Sequence, residues 1–386
     1  MSDTKKKLSL GSEQPVQNAE TTLPQPGQAA DRTTAGLNRP RLLTLLAGAV
    51  VLALLIFRIQ SVVTEANYGT DTWVRFVFSG LIIGGMYALV AIGYTLVYGI
   101  LLMINFAHGE VMMLGAFGGY FVFEALKNIP AGETNFLNAN PILSILIAFI
   151  VGVAVSALAG FLLEKIAYRP LRNAARLVPL ISAIGASIFL QTSAQLMFGP
   201  QRRDYINPEL LTRGEGWEWA IGGSTVTLTY TGVFSLILSA ILMTGLYLFV
   251  QRTRLGKAMR AVSQDRNTAA LMGVDVNKTI SQAFILSGML AGAAGVMWGV
   301  HNGLINYYLG FIPGIKAFTA AVLGGIGNIP GAMVGGLFLG IVESVGPAAL
   351  GIDFQLKDVI AFSILILVLI FRPSGILGEA LSKEKV

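Results

Sequence analysis

Long apolar stretches recur along the chain at the length expected of membrane-spanning helices. A helix rises about 1.5 Å per residue, so about 20 residues cross the hydrocarbon core of a bilayer. The stretch 76–123 is apolar apart from His108 and Glu110, and it is long enough for two spans. The same pattern predicts further spans at 42–57, 142–163, 177–198, 230–250, 280–300 and 359–371.

The composition assigns the chain to a class and excludes several kinds of site. Hydrophobic residues make up 54% of the 386 positions and charged residues 12%, about half the charged content of a typical soluble domain, which is about 25%. The prediction is an all-α, polytopic helical membrane protein. With no cysteine and two histidines, disulfides, thiolate chemistry and the common zinc sites are excluded. No phosphate-binding GxxxxGK[ST] loop is present, and we expect no cofactor or metal.

Four compositional segments follow one another. Residues 1–40 are polar, carry few large apolar side chains and are predicted to be a disordered tail. Residues 41–72 contain the first apolar stretch and a linker, 73–378 form the main membrane domain, and 379–386 are a short polar tail.

Basic residues are concentrated in particular loops, which predicts the orientation. Lysine and arginine are frequent at 164–176 and 251–279, whereas the 199–229 loop has three arginines against four acidic residues. Basic loops stay on the cytoplasmic side, so both termini are expected there, and the net charge of +6 does not indicate nucleic-acid binding. The segment 317–350 must then cross an even number of times. It is either a re-entrant loop, which gives eight crossings in all, or a hairpin of two short helices, which gives ten.

Polar residues interrupt the apolar run at 93–110. Asn105 and Gly109 favour a helix break, and His108 and Glu110 are ionisable groups within a membrane segment. A carboxylate at the bilayer centre costs roughly 2.5–3.5 kcal/mol, so such groups face the protein interior or an interface. One interpretation is a discontinuous helix beside a translocation path. The alternative is a hydrogen-bonded pair of His108 and Glu110 that fixes one helix against another.

A glycine-rich run at 320–336 predicts a second break. Gly324, Gly325 and Asn328 are candidates for the translocation path, together with Asn105, His108 and Glu110. A tight packing seam is the simpler interpretation, and the two are compatible. Short similar stretches at 104–106 and 305–307 suggest a weak internal repeat, and paired broken segments favour a transport site.

The basic loop after residue 251 predicts a short amphipathic helix that Gly273 ends. Apolar residues at one helical face are Leu255, Met259, Val262, Ala269 and Met272, and polar residues at another are Lys257, Arg260, Gln264 and Asn267. The pattern alone is compatible with a position on the lipid surface or in a groove of a soluble partner.

The sequence resembles LivH-type permeases, the membrane subunits of ABC importers for branched-chain and other hydrophobic amino acids. The matching stretches cover most of residues 79–378 and lie at 85–117, 164–172, 177–191, 256–261, 317–336 and 373–378. The tail at 1–40 and the added span at 42–57 depart from this pattern.

The resemblance implies a non-enzymatic transport subunit of a bacterial inner membrane. It implies two ATPase subunits that supply the energy, a LivM-like second permease subunit in a heterodimer, and an extracytoplasmic amino-acid-binding protein. An Ala-x-x-x-Gly signature in the basic loop of such importers docks into the ATPase. The positions that correspond to this signature and its surroundings are Arg260, Asp265, Ala269, Ala270 and Gly273.

Three other functions are less well supported by the sequence. Related importers carry amides or urea. An ion-coupled secondary carrier would use membrane acids such as Glu110 and Glu343. An intramembrane serine hydrolase is disfavoured because Ser187 lacks the GxSG setting.

Overall fold

The computed structural model describes residues 58, 60, 61, 68–172, 174–175, 177–221, 224–372 and 374–378. These residues belong to one compact unit, Phe57–Val386. The predicted tails at 1–40 and 379–386 and the predicted span at 42–57 lie outside the described residues.

Helices dominate the described part of the chain. They are α1 (Thr70–Leu101), α2 (His108–Lys127), α3 (Phe136–Ala139), α4 (Pro141–Leu163), α5 (Leu177–Phe198), α6 (Tyr230–Arg252), α7 (Arg254–Gln264), α8 (Arg266–Leu271), α9 (Val276–Asn302), α10 (Phe311–Gly324), α11 (Ile329–Leu350) and α12 (Lys357–Phe371). A π-helical turn (Glu164–Tyr168) and a 3₁₀ turn (Arg169–Leu171) extend α4, and further 3₁₀ turns lie at Glu209–Leu211 and Phe354–Leu356. Eight helical stretches in this part are long and apolar enough to cross a membrane, and α10 is shorter.

Short antiparallel ribbons lie in the loops at one end of the bundle, which we call the hairpin end. They pair β1 (Pro130–Ala131) with β2 (Thr134–Asn135), β3 (Arg203–Asp204) with β6 (Leu304–Ile305), and β4 (Gly216–Ile221) with β5 (Ser224–Thr229). Arg75, near the start of α1, donates to the carbonyl oxygen of Thr225 in β5. The opposite end carries the two lysine- and arginine-rich loops, and we call it the basic end.

The core forms around α1, which packs against α9, α10 and α11. Small residues permit the closest of these contacts, since a Cβ atom on Gly340 would lie 2.3 Å from the Cα atom of Gly84. Without water between helices, close van der Waals packing of this kind is a main source of helix association. By contrast, α5 and α12 bury few of their side chains.

The predicted fold class is confirmed, and the helix bounds differ mainly at the ends. The predicted span at 177–198 coincides with α5, whereas α1 begins at Thr70, six residues before the predicted start. The segment 317–350 contains two helices, α10 and α11, and α10 already begins at Phe311. The internal repeat and the re-entrant arrangement stay predictions.

Candidate functional site

A break separates α1 from α2 at residues 102–107. Leu102 ends α1 with φ of 55°, and it is the one non-glycine residue with positive φ in the described ranges. The buried Asn105 side chain organises the break. Its Oδ1 atom accepts hydrogen bonds from the backbone N–H of Ala107, at 3.1 Å, and from the hydroxyl of Tyr168, at 2.9 Å. The predicted break is therefore present, and a helix on another part of the chain holds it.

His108 is the first residue of α2 and is fully enclosed by helix packing. Its ring lies edge-on to the ring of Tyr94, with 4.8 Å between the centroids. Its Nε2 atom is buried and has no hydrogen-bond partner in the part of the chain that the structure describes. A Cβ atom at Gly93 would lie 2.3 Å from this nitrogen, so the position of His108 depends on a glycine in the facing helix.

Glu110 is the third residue of α2 and is also buried, with 1% of its surface exposed. Its Oε1 atom accepts a long hydrogen bond of 3.4 Å from the hydroxyl of Ser187 in α5. Its Oε2 atom has no partner within the described residues. The structure does not join His108 and Glu110 by a hydrogen bond, so the hydrogen-bonded pair considered from the sequence is wrong.

The start of α2 meets the start of α10 inside the bundle. A Cβ atom on Gly109 would lie 2.3 Å from the carbonyl oxygen of Gly310 and 3.0 Å from the Cα atom of Gly314. The two backbones are thus in direct contact. The positive ends of two helix dipoles point to this junction, and the carboxylate of Glu110 lies in the first turn of α2.

The glycine-rich residues lie elsewhere, at the turn between α10 and α11. Asn328 caps α11 by accepting from the N–H of Gly331 at 3.2 Å, and it donates to the carbonyl oxygen of Leu377 at 2.8 Å. Gly325 has φ of 105°, and a Cβ atom there would lie 2.5 Å from Gly378. This turn is one α10 length, about 20 Å, from the junction of α2 and α10. The structure therefore keeps Gly324, Gly325 and Asn328 apart from His108 and Glu110. The turn lies closer to the break that contains Asn105, because Ile326 and Ile104 line the same small cavity.

The predicted single amphipathic helix of the basic loop is two helices, α7 and α8. Asp265 separates them because its extended backbone and its side chain cap α8. Its carboxylate accepts from the N–H groups of Asn267 and Thr268 and, at 2.6 Å, from the Thr268 hydroxyl. These bonds, with the hydroxyl contributing most, lower the pKa of Asp265. Exposed Arg260 of α7 donates to the backbone oxygen of Gln251 at 3.3 Å.

An exposed apolar ridge covers the end of α8 and the residue after it. Ala269 is buried, but Ala270 is exposed, and Leu271 and Met272 expose 88% and 80% of their surface. Gly273 ends the ridge with φ of 84° and has open space around it. The sequence pattern predicted that Met272 and Met259 share one face of a single helix. This prediction was wrong because the helix is broken at Asp265, so that Met259 is buried and Met272 is exposed.

Several polar residues near the site were missed from the sequence. Glu164 is fully buried and pairs with Arg172. Burial lowers the pKa of Arg172, and the charge of Glu164 opposes this change. A second group comprises buried Lys316 and Glu343, of which the sequence indicated only Glu343, and half-exposed Lys357 and Asp358. Lys316 lies 2.7 Å from Glu343 and 2.6 Å from Asp358. The signal available in the sequence was the presence of ionisable residues within apolar segments, because such residues need partners inside the protein.

These features define a class: a multi-pass helical membrane protein with buried polar groups at a broken helix and a basic end that exposes an apolar ridge. Residues 76–369 match the model of a family described as the permease component of the branched-chain amino acid transport system. The chain belongs to this family.

Three relatives illustrate the similarity. The chain is 45% identical over 304 residues to the high-affinity branched-chain amino acid transport system permease protein BraD of Pseudomonas aeruginosa. It is 42% identical over 305 residues to the corresponding protein LivH of Escherichia coli. Each alignment covers 78% of this chain and 94% of the relative. A probable LivH of Methanocaldococcus jannaschii is 29% identical over 337 residues, which cover 82% of this chain and 96% of that protein.

Proposed function

We propose that this chain is the membrane permease subunit of an ATP-driven importer for branched-chain or other neutral hydrophobic amino acids. The observation that carries the proposal is the identity of 42–45% over nearly the full length of proteins named as branched-chain amino acid permeases. In this proposal the chain performs no catalysis. ATP hydrolysis belongs to two separate ATPase subunits, and an extracytoplasmic binding protein delivers the amino acid.

The ridge at the basic end is the proposed ATPase-docking site. Large apolar side chains that are exposed in a polar loop are typical of a surface that a partner covers. Leu271 and Met272 fit this description, and Asp265 caps the start of α8, the helix that ends at Leu271. The docking segment, 254–273, would thus receive the movement of the ATPase subunits. Its basic residues support a cytoplasmic position for this end of the bundle, in a bacterial inner membrane.

The proposed translocation path passes the junction of α2 and α10. His108 and Glu110 contribute buried polar atoms that lack partners among the described residues, and buried polar atoms of this kind are costly unless something compensates for them. Gly109 and Gly310 close the junction by backbone contact, so transport in this scheme requires α2 and α10 to separate. The second, LivM-like permease subunit would complete the path.

Reconstitution into proteoliposomes tests the proposal. The chain, purified from its native membrane with its associated subunits, is expected to bring ATPase subunits and a second permease. With the binding protein outside and ATP inside, uptake of radiolabelled leucine should depend on ATP and be insensitive to proton and sodium ionophores. Uptake of amides or urea instead would replace the substrate, and ionophore-sensitive uptake without ATPase subunits would indicate a secondary carrier.

The variant Glu110→Gln tests the path. Glutamine keeps the size of the side chain but cannot ionise beside Ser187, and we expect uptake to fall roughly tenfold, or about 1.4 kcal/mol in the rate-limiting barrier. Glu218→Gln is the matched control, because Glu218 is exposed in β4. Normal uptake by Glu110→Gln would exclude a role of this carboxylate in the path.

A further inference from the structure

We propose that the π-helical turn Glu164–Tyr168 transmits movement of the docking segment to the break between α1 and α2, with Tyr168 as a positioning residue. This inference rests on the proposed function, since it assumes that ATPase subunits move the docking segment. It concerns residues that lie between the docking segment and the candidate path and belong to neither.

The first step of the connection joins the π-helical turn to the break. Tyr168 is 1% exposed, and its hydroxyl donates to Oδ1 of Asn105 at 2.9 Å. The same oxygen accepts from the N–H of Ala107, the residue that precedes α2. The Tyr168 hydroxyl therefore fixes the side chain that orients the first turn of α2, where His108 and Glu110 lie.

The second step joins the π-helical turn to α9, the helix that directly follows the docking segment. Oε2 of Glu164 accepts from the hydroxyl of Ser281 at 2.7 Å, and its Oε1 atom pairs with Arg172. Arg172 also donates to Oδ1 of Asn277 at 2.5 Å. Both Asn277 and Ser281 lie in the first two turns of α9, which begins three residues after Gly273. A movement of the docking segment thus acts on Glu164, the first residue of the π-helical turn, and on Arg172, four residues beyond its end.

A separate contact joins the docking segment to the other side of the break. Arg266 of α8 donates from Nε and from a terminal nitrogen to the carbonyl oxygen of Ile100, at 3.2 and 2.7 Å. Ile100 lies in the last turn of α1, where the carbonyl groups have no helical partner. The docking segment therefore holds the end of α1 directly and the start of α2 through Tyr168.

The break and the π-helical turn have the properties of elements that can change conformation. Leu102 has a left-handed backbone conformation that is unfavourable for a branched side chain. A π-helical turn contains one residue more per hydrogen-bonded ring than an α-helix, and such turns occur frequently at functional sites. A change at either element would shift Asn105 relative to α2.

The first experiment compares Tyr168→Phe with the wild-type chain in the reconstituted complex. Phenylalanine keeps the packing of the ring against Phe284 but removes the bond to Asn105. We expect the number of ATP molecules hydrolysed per amino acid imported to rise between two- and thirtyfold, which is roughly the range for residues that carry coupling between sites. The amount of assembled complex should not change.

Tyr205→Phe is the matched control. Tyr205 is also fully buried, but it lies at the hairpin end and its hydroxyl has no partner in the described ranges. Its replacement should leave the ratio of ATP to amino acid unchanged. Equal ratios for Tyr168→Phe, Tyr205→Phe and wild type would overturn the inference, as would an equal increase in both variants.

Arg266→Gln tests the contact between Arg266 and the carbonyl oxygen of Ile100. It also keeps the inference testable if the Tyr168→Phe variant does not assemble with its partner subunits. We expect Arg266→Gln to raise the same ratio, and the double variant with Tyr168→Phe to raise it further than either single change. If the double variant had the same ratio of ATP hydrolysed to amino acid imported as the wild type, neither the Tyr168–Asn105 contact nor the Arg266–Ile100 contact would transmit the movement.

A second measurement does not depend on the substrate. Hydrogen exchange of the amides at 107–111 is followed when the cognate ATPase subunits are added with a non-hydrolysable ATP analogue. Exchange should change in the wild-type chain and change at least twofold less in Tyr168→Phe. If leucine uptake fails but this difference is present, the proposed substrate is wrong and the inference stands. If uptake succeeds and the difference is absent, the inference is wrong.

Discussion

At Gly93, the absence of a side chain is a requirement of the packing between α1 and the start of α2. We predict that Gly93→Ala displaces His108, because the added Cβ atom would lie 2.3 Å from Nε2 and 2.8 Å from Cε1 of this residue. Overpacking of a close contact costs about 1–3 kcal/mol. Thermal unfolding in detergent should show the lower stability, and uptake in proteoliposomes should fall.

Gly245→Ala provides the control for this prediction. Gly245 lies within α6 and has no neighbouring atom within 4 Å of an added Cβ atom. Alanine there is expected to be neutral or to stabilise the helix by up to about 1 kcal/mol. Equal stabilities of the two variants would show that His108 adapts without cost.

On the scale of single elements, the end of the docking segment depends on one backbone conformation. Gly273 has φ of 84°, and its N–H donates to the carbonyl oxygen of Ala270. We predict that Gly273→Val distorts the ridge, because a β-branched residue is strained in the left-handed region. ATPase activity and uptake should become uncoupled while membrane insertion is unchanged, measured as the ratio of ATP hydrolysed to amino acid imported.

Gly273→Asn separates backbone strain from side-chain size. Asparagine adopts left-handed conformations more readily than other residues do and occurs at the ends of helices. It should retain most of the coupling, since there is open space around Gly273. A loss of coupling that is equal in the two variants would assign the effect to the side chain rather than to the backbone.

The sequence was sufficient for the elements whose pattern is local. Twenty-residue apolar runs predicted α4, α5, α6 and α9 to within a few residues at each end. It was insufficient where one side chain competes with helix propagation, as Asp265 does between α7 and α8. The partners of Glu164 could not be predicted either, because Ser281 is 117 residues away along the chain. Neither residue stands out in the sequence as a polar position inside a long apolar run.

On the scale of the whole molecule, a group of charges around the buried Lys316 joins three helices. Lys316 of α10 contacts Glu343 of α11 and Asp358 of α12. We predict that Lys316→Met destabilises the protein by about 3–5 kcal/mol, because it leaves the buried carboxylate of Glu343 without its closest partner. Thermal unfolding in detergent measures the loss.

The double variant Lys316→Met with Glu343→Leu should recover much of this stability. Replacement of both partners removes the uncompensated charge, and the side chains of Lys357 and Asp358, which are 46% and 41% exposed, keep their access to solvent. A double variant as unstable as Lys316→Met alone would show that packing, rather than charge, joins α10 to α11 and α12.

The contact between the last described residues and the turn after α10 has a consequence for the biogenesis of the protein. The N–H groups of Ile376 and Leu377 donate to the carbonyl oxygens of Leu323 and Gly324, at 2.7 and 3.0 Å. The ribosome makes Gly324 more than fifty residues before Leu377, and α11 and α12 are synthesised in between. The turn at Gly325 is therefore completed only after every described helix has left the ribosomal active site. A nascent chain that stops before residue 374 contains all of these helices and still lacks the segment that closes this turn.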